Sequence, residues 1–118
     1  MVGLLCERIL LTADGRDVKV TLSFPSQPAG FGTPERTDKC CHYVIDGLGS
    51  SHTREVWGID SFQAVQLAMQ SIGAELYSSQ EAKSGNLRWS AGIVEGDLGF
   101  PVPSRLQDLL PVGLRVGQ

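Results

Sequence analysis

The pattern of apolar and polar positions divides the chain into an extended first half, one long amphipathic segment and a less regular final third. Over residues 60–77 (DSFQAVQLAMQSIGAELY) apolar side chains recur every three or four positions. At 100° per residue, with Val65 at zero, Phe62, Ala68, Met69, Ile72 and Leu76 fall within about 60° on either side, which predicts a helix over about 61–77 lying on a core. Asp60 is placed as its N-cap, and Gln63 three residues on can reach back to it. Burying Phe62, Val65, Met69, Ile72 and Leu76 at roughly 1.5–3 kcal/mol each gains on the order of 10 kcal/mol gross, which requires a sheet beneath the helix.

Residues 4–24 read as a hairpin around Ala13-Asp14-Gly15-Arg16, because Asp-Gly between extended segments signals a type I′ turn. With Asp14 and Gly15 as the loop, Leu11 faces Val18, Ile9 faces Val20, Glu7 faces Leu22 and Leu5 faces Phe24. Glu7 is then the one charge on the apolar face, an anomaly that a bulge or an edge position would explain. Residues 25–39 hold three prolines and two glycines and read as a long loop. Strands are expected at 40–46 and 54–59, joined through Gly47-Leu48-Gly49-Ser50-Ser51-His52-Thr53. Beyond the helix, 79–86 is polar, 87–94 can hold a short strand, and a short second helix is expected at about 105–110 before Pro111 stops it. Residues 112–118 read as a strand or a tail. The fold class is α+β, with an antiparallel sheet of four to five strands packed on one main helix and an irregular C-terminal segment.

The far side of the helix is unusual. Ala64, Leu67, Ser71, Ala74 and Ser78 lie about 100–180° from Val65 and form a strip with no charge, where a solvated face carries Lys and Glu. Two covers compete for it, the C-terminal third of the chain or else a second copy of the chain or another protein, with plain exposure as the remaining reading.

Composition narrows the function classes. The 118 residues fit one domain, 1–118, with one core. The formal net charge is −3, and the ten basic residues are scattered singly, which argues against nucleic acid as a partner. No apolar stretch reaches the length of a membrane span, and 1–8 lacks the pattern of a signal peptide, so no membrane association and a cytoplasmic location are expected. Three cysteines, two of them adjacent (Cys40, Cys41), make a poor disulfide framework and suit a reducing compartment.

Chemistry-bearing groups are few. Cys40 and His42 share a face of an extended strand while Cys41 points away. Pairing the strands around residue 50 sets His42 opposite about Gly58 and leaves His52 roughly 15–20 Å away, so neither a metal site nor any other cofactor site is expected. Adjacent strand residues do not present thiol and imidazole to each other as a nucleophile and base must. Gly47-Leu48-Gly49 lacks the Lys of a phosphate loop and reads as a turn. Arg88 and Trp89, with Trp57 and Tyr77, either line a small groove with Arg88 as an anion clamp or belong to the core and its rim.

Four segments carry a resemblance: Gly58-Ile59-Asp60-Ser61-Phe62-Gln63-Ala64, Ile72-Gly73-Ala74-Glu75-Leu76, Gly85-Asn86-Leu87-Arg88-Trp89, and Leu98-Gly99-Phe100-Pro101-Val102-Pro103. Over roughly 40–103 the chain resembles a family of small bacterial proteins classed as a domain of unknown function. The resemblance implies a bacterial cytosolic origin and a stand-alone domain, and brings no activity, cofactor or catalytic residue. The expectation is a non-enzymatic interaction or accessory module that binds a second copy or a protein partner through Ala64, Leu67, Ser71 and Ala74. The alternative is a small-molecule binder or minor enzyme using a groove near Arg88 and Trp89.

Overall fold

A computed structural model describes residues 3–27 and 38–115. Most of the expected 25–39 loop, and the last three residues of the expected tail, lie outside the described residues. Strands β1 (Leu4–Thr12), β2 (Asp17–Ser23), β3 (Lys39–Leu48) and β4 (Ser50–Gly58) are followed by helix α1 (Ser61–Ser78), the single turn α2 (Gln80–Lys83) and the two-residue strand β5 (Leu87–Arg88). The sheet is antiparallel throughout, in the order β4-β3-β2-β1-β5. The α+β architecture is therefore as the pattern predicts. The expected helix at 105–110 is a 3-10 segment, Ser104–Leu109, and a second 3-10 turn, Val112–Leu114, occupies the described start of the expected strand or tail.

The first hairpin differs by one residue from the expected register. Thr12 N–H donates to the Arg16 carbonyl at 2.9 Å and Gly15 N–H to the Thr12 carbonyl at 3.0 Å, so the loop is Ala13-Asp14-Gly15, with Gly15 at φ 87°. A three-residue loop ending in a left-handed glycine was preferred over the two-residue turn because the Thr12 hydroxyl caps it, accepting from Arg16 N–H at 3.0 Å. Leu10 now opposes Val18, Arg8 opposes Val20 and Cys6 opposes Leu22. A slip of one residue exchanges the faces of a strand. Glu7 thus lies on the open face, 3.5 Å from Lys19, and its anomaly disappears. Arg8 takes the inner face instead.

That inner face has two covers. Helix α1 packs over β3 and β4. The segment after β5 buries Leu98, Val102 and Leu110 in the same core as Leu10, Val18, Val20, Tyr43, Ile45, Ile72 and Leu76. Arg8 joins this segment to β1: its guanidinium stacks 3.9 Å from the Trp89 ring centre and 4.7 Å from that of Phe100, and donates to the Gly99 carbonyl at 2.8 Å.

The start of α1 is as predicted in outline. Asp60 accepts from Gln63 N–H at 2.8 Å, but the Gln63 side chain reaches one residue further back than expected and accepts from Ile59 N–H at 2.8 Å. The buried face is rotated from the expected stripe. It follows the line Ala64, Ala68, Ile72, Leu76, with Gly73 and Tyr77 beside it, while Phe62 is 88% exposed and Val65 and Met69 are half-buried. A row of residues four apart winds around the helix, so contact along such a row sets the helix obliquely across the sheet. Small residues allow it: a Cβ on Gly58 would lie 2.3 Å from the Ala64 nitrogen, and one on Gly73 would lie 1.8 Å from the Pro101 carbonyl oxygen.

Candidate functional site

The strip expected to take a partner is partly used by the fold. Ala64 is buried against the end of β4. The Ser71 hydroxyl lies 2.9 Å from the Tyr43 hydroxyl, Ala74 is half-buried, and Leu67 keeps 38% of its surface exposed. The described part of the C-terminal segment packs on the Gly73 and Tyr77 side, where Leu98 N–H donates to the Tyr77 hydroxyl at 2.9 Å.

Ser71 belongs to a network that ties α1 to β3 and β4. The Tyr43 hydroxyl donates to Glu75, Arg54 Nε donates to the same carboxylate at 3.2 Å, and His52 Nδ1 lies 3.9 Å from it. Burial and the hydrogen bond to Glu75 push the Tyr43 phenol up to about 12. These contacts join α1 to β3 and β4, so the cluster clamps the helix to the sheet. A hollow of about 310 Å³ opens beside it, bordered by Ile45, His52, Glu75 and Glu81.

Arg88 and Trp89 border a second hollow, of about 440 Å³, with Leu87, Ile93, Glu95 and Asp97. The two oxygens of Asp97 are taken by backbone: Oδ2 accepts from Ile93 N–H at 3.0 Å and Oδ1 from Gly99 N–H at 2.8 Å. Trp89 is half-buried under Arg8, and Arg88 is exposed on β5. Tyr77 is buried with the helix, whereas Trp57 stands across from Cys40 on the opposite face of the sheet, so these four residues do not share one groove.

A third hollow, also about 440 Å³, lies on the N-terminal half of α1, lined by Phe62, Val65, Gln66, Met69, Gln70 and Pro101. Phe62, Val65 and Met69, three of the large side chains that the helical pattern predicts for the core, border it, whereas Ile72 and Leu76 are in the core as expected.

On the open face of the sheet, β3 and β4 bring together three donors that sequence spacing does not connect. Register sets His42 opposite Glu55 and Cys40 opposite Trp57, in place of the expected pairing of His42 near Gly58. The β3–β4 turn closes at Gly49, with an irregularity between Ile45 and Leu48, and this shifts the pairing by three residues. His42 Nε2 lies 3.3 Å from Glu55 Oε2, and Trp57 Nε1 donates to Glu55 Oε1 at 3.0 Å. Cys40 is fully buried next to them, and burial followed by the charge of Glu55 pushes its thiol up. His52 faces inward opposite Ile45, and Cys41 is buried in the core, so neither joins the group. Cys6, Cys40 and Cys41 are all free thiols.

Among the described residues, no helix is long and apolar enough to cross a membrane. No curated protein and no solved structure matches the chain. A family model does, and it extends past the expected 40–103 to take in β1 and β2 as well. Because that model, Domain of unknown function (DUF6968), matches residues 6–102, the chain belongs to this family.

Proposed function

We propose that the chain is a non-enzymatic interaction module that pairs with a second copy of itself through the N-terminal half of α1. The observation that carries this reading is Phe62, 88% exposed at the edge of an apolar hollow. Residues 61–74 contain no charged side chain, so two such surfaces meet without like-charge repulsion. With two helices antiparallel about Gln66, each Phe62 reaches the hollow between Met69 and Pro101 of the other copy, about 11 Å along the axis. Two helix flanks bury less than the roughly 1,600 Å² of a standard interface, so a weak, concentration-dependent dimer is expected. Leu67 borders the same surface on its far side, and Ser71 and Ala74 contribute less than the sequence pattern implies.

Sedimentation tests the reading. Wild type is expected to dimerise with concentration and Phe62→Lys to stay monomeric. If Leu67→Lys abolishes the dimer and Phe62→Lys does not, the interface is the strip first expected; a wild type that is monomeric at all concentrations removes self-pairing. The free thiols and the family resemblance support placement in a bacterial cytosol. A second reading, an anionic small molecule held by Arg88 beside Trp89, has the 440 Å³ hollow in its favour. Fluorescence of Trp89 under titration with small anions, with Arg88→Gln as control, tests it.

A further inference from the structure

We infer that Cys40, His42 and Glu55 form a binding site for a zinc-like divalent cation on the open face of the sheet. Their ligand atoms, one from each residue, all lie within 4.8 Å of one another. Zinc bonds of about 2.0–2.3 Å to nitrogen, oxygen and sulfur place tetrahedral ligand atoms roughly 3.3–3.7 Å apart. The His42–Glu55 separation of 3.3 Å already has that value. The thiol, within 4.8 Å of the other two ligand atoms, needs to approach by at most about 1.5 Å, within reach of a side-chain rotation.

The chemistry of the set is consistent with a borderline-soft ion. Thiolate, imidazole and carboxylate together select zinc or cobalt over calcium and magnesium, which take oxygen ligands. One thiolate and one carboxylate balance the two charges of the ion, so the partly buried site becomes neutral when filled. The backbone holds the arrangement: Cys40 and His42 are two apart on β3 and share its outer face, and Glu55 is the cross-strand partner of His42. Trp57 Nε1 donates to the carboxylate oxygen on the other side from His42, which orients Glu55 as an outer-shell partner orients a metal ligand. His42 and Glu55 are 44% and 54% exposed, so a fourth position is open to water or to a donor from a bound molecule. Binding would release the Cys40 proton.

Cobalt(II) serves as the probe because a thiolate ligand gives it a charge-transfer absorption that water and carboxylate do not. The full chain, stripped with chelator, is expected to bind one equivalent of Co²⁺ with that band and to lose it on addition of one equivalent of Zn²⁺. Cys40→Ser is expected to abolish the band, while the exposed Cys6→Ser leaves it unchanged. His42→Gln and Glu55→Gln alter half-exposed side chains and keep the fold, so they keep the test open if Cys40→Ser does not fold; each is expected to weaken Zn²⁺ binding at least tenfold. Absence of the band in wild type, its survival in folded Cys40→Ser, or undiminished affinity in both His42→Gln and Glu55→Gln overturns the site.

Discussion

The residues that decide this structure are polar groups placed among apolar ones. Tyr43 is fully buried, and its hydroxyl is shared between Glu75 and Ser71, with Arg54 on the far side of the carboxylate. Its phenol is raised from about 10 in an unfolded chain to about 12 in the folded one. The folded state therefore holds the proton more tightly, and the contribution, about 3 kcal/mol, is complete below pH 10 and lost as pH rises from 10 to 12. Tyr43→Phe is expected to be less stable than wild type at pH 8, with the gap closing at pH 11.5; urea unfolding at the two pH values measures it, and a constant gap contradicts the assignment. Arg8 offers a second test. Arg8→Ala removes two cation–π contacts and a hydrogen bond to Gly99 and should cost about 2–3 kcal/mol, whereas Arg8→Lys, which keeps the charge but not the plane, should cost about 1 kcal/mol. An equal loss in both would mean that the charge Lys retains contributes little, whereas no loss in Arg8→Lys would mean that the stacking contributes little. The expected register, with Glu7 and Ile9 on the apolar face, puts their neighbour Arg8 on the other, and a single-residue difference in loop length, set by Thr12, reverses the strand's faces.

At the scale of elements, position was legible and orientation less so. The helix begins and ends within a residue of its expected bounds because capping and periodicity are local. Its buried side depends on what it meets, and the pattern weights large side chains. The contact line runs through Ala64, Ala68 and Gly73, which let β4 and the Pro101 segment approach closely, so Phe62 ends beyond the sheet. Gly73→Ala separates the two views. Helix propensity alone predicts a gain of up to about 1 kcal/mol. The Cβ would, however, lie 1.8 Å from the Pro101 carbonyl oxygen and 2.9 Å from its carbon, backbone atoms that cannot rotate away. The expected outcome is a loss of about 3 kcal/mol, read from the urea midpoint, with the 98–103 segment displaced. A stabilised Gly73→Ala would show that this segment is not held against the helix. The same contrast applies to the candidate cation site: the shared face of Cys40 and His42 is visible from their spacing, but Glu55 enters only through a register that the Gly47 and Gly49 turn sets.

For the molecule as a whole, the two covers of the sheet leave the N-terminal half of α1 uncharged and partly apolar, and that surface has a thermodynamic signature distinct from any effect on folding of one chain. A ligand that binds only the folded state stabilises it by mass action, about 2.7 kcal/mol at one hundred times its dissociation constant. If a second copy is that ligand, the thermal midpoint of wild type must rise with protein concentration, by on the order of 5–10 °C over a hundredfold increase above the dimer constant. Phe62 is 88% exposed in the single chain, so Phe62→Lys should match wild type within about 0.5 kcal/mol when both are dilute. At high concentration the variant's midpoint should stay where it is while that of wild type climbs. A substitution that merely weakened the core would lower the midpoint at every concentration, and a pairing surface elsewhere would let both proteins climb together. Calorimetry of the two chains across that range distinguishes the three cases, and only a divergence that grows with concentration supports pairing through this face of α1.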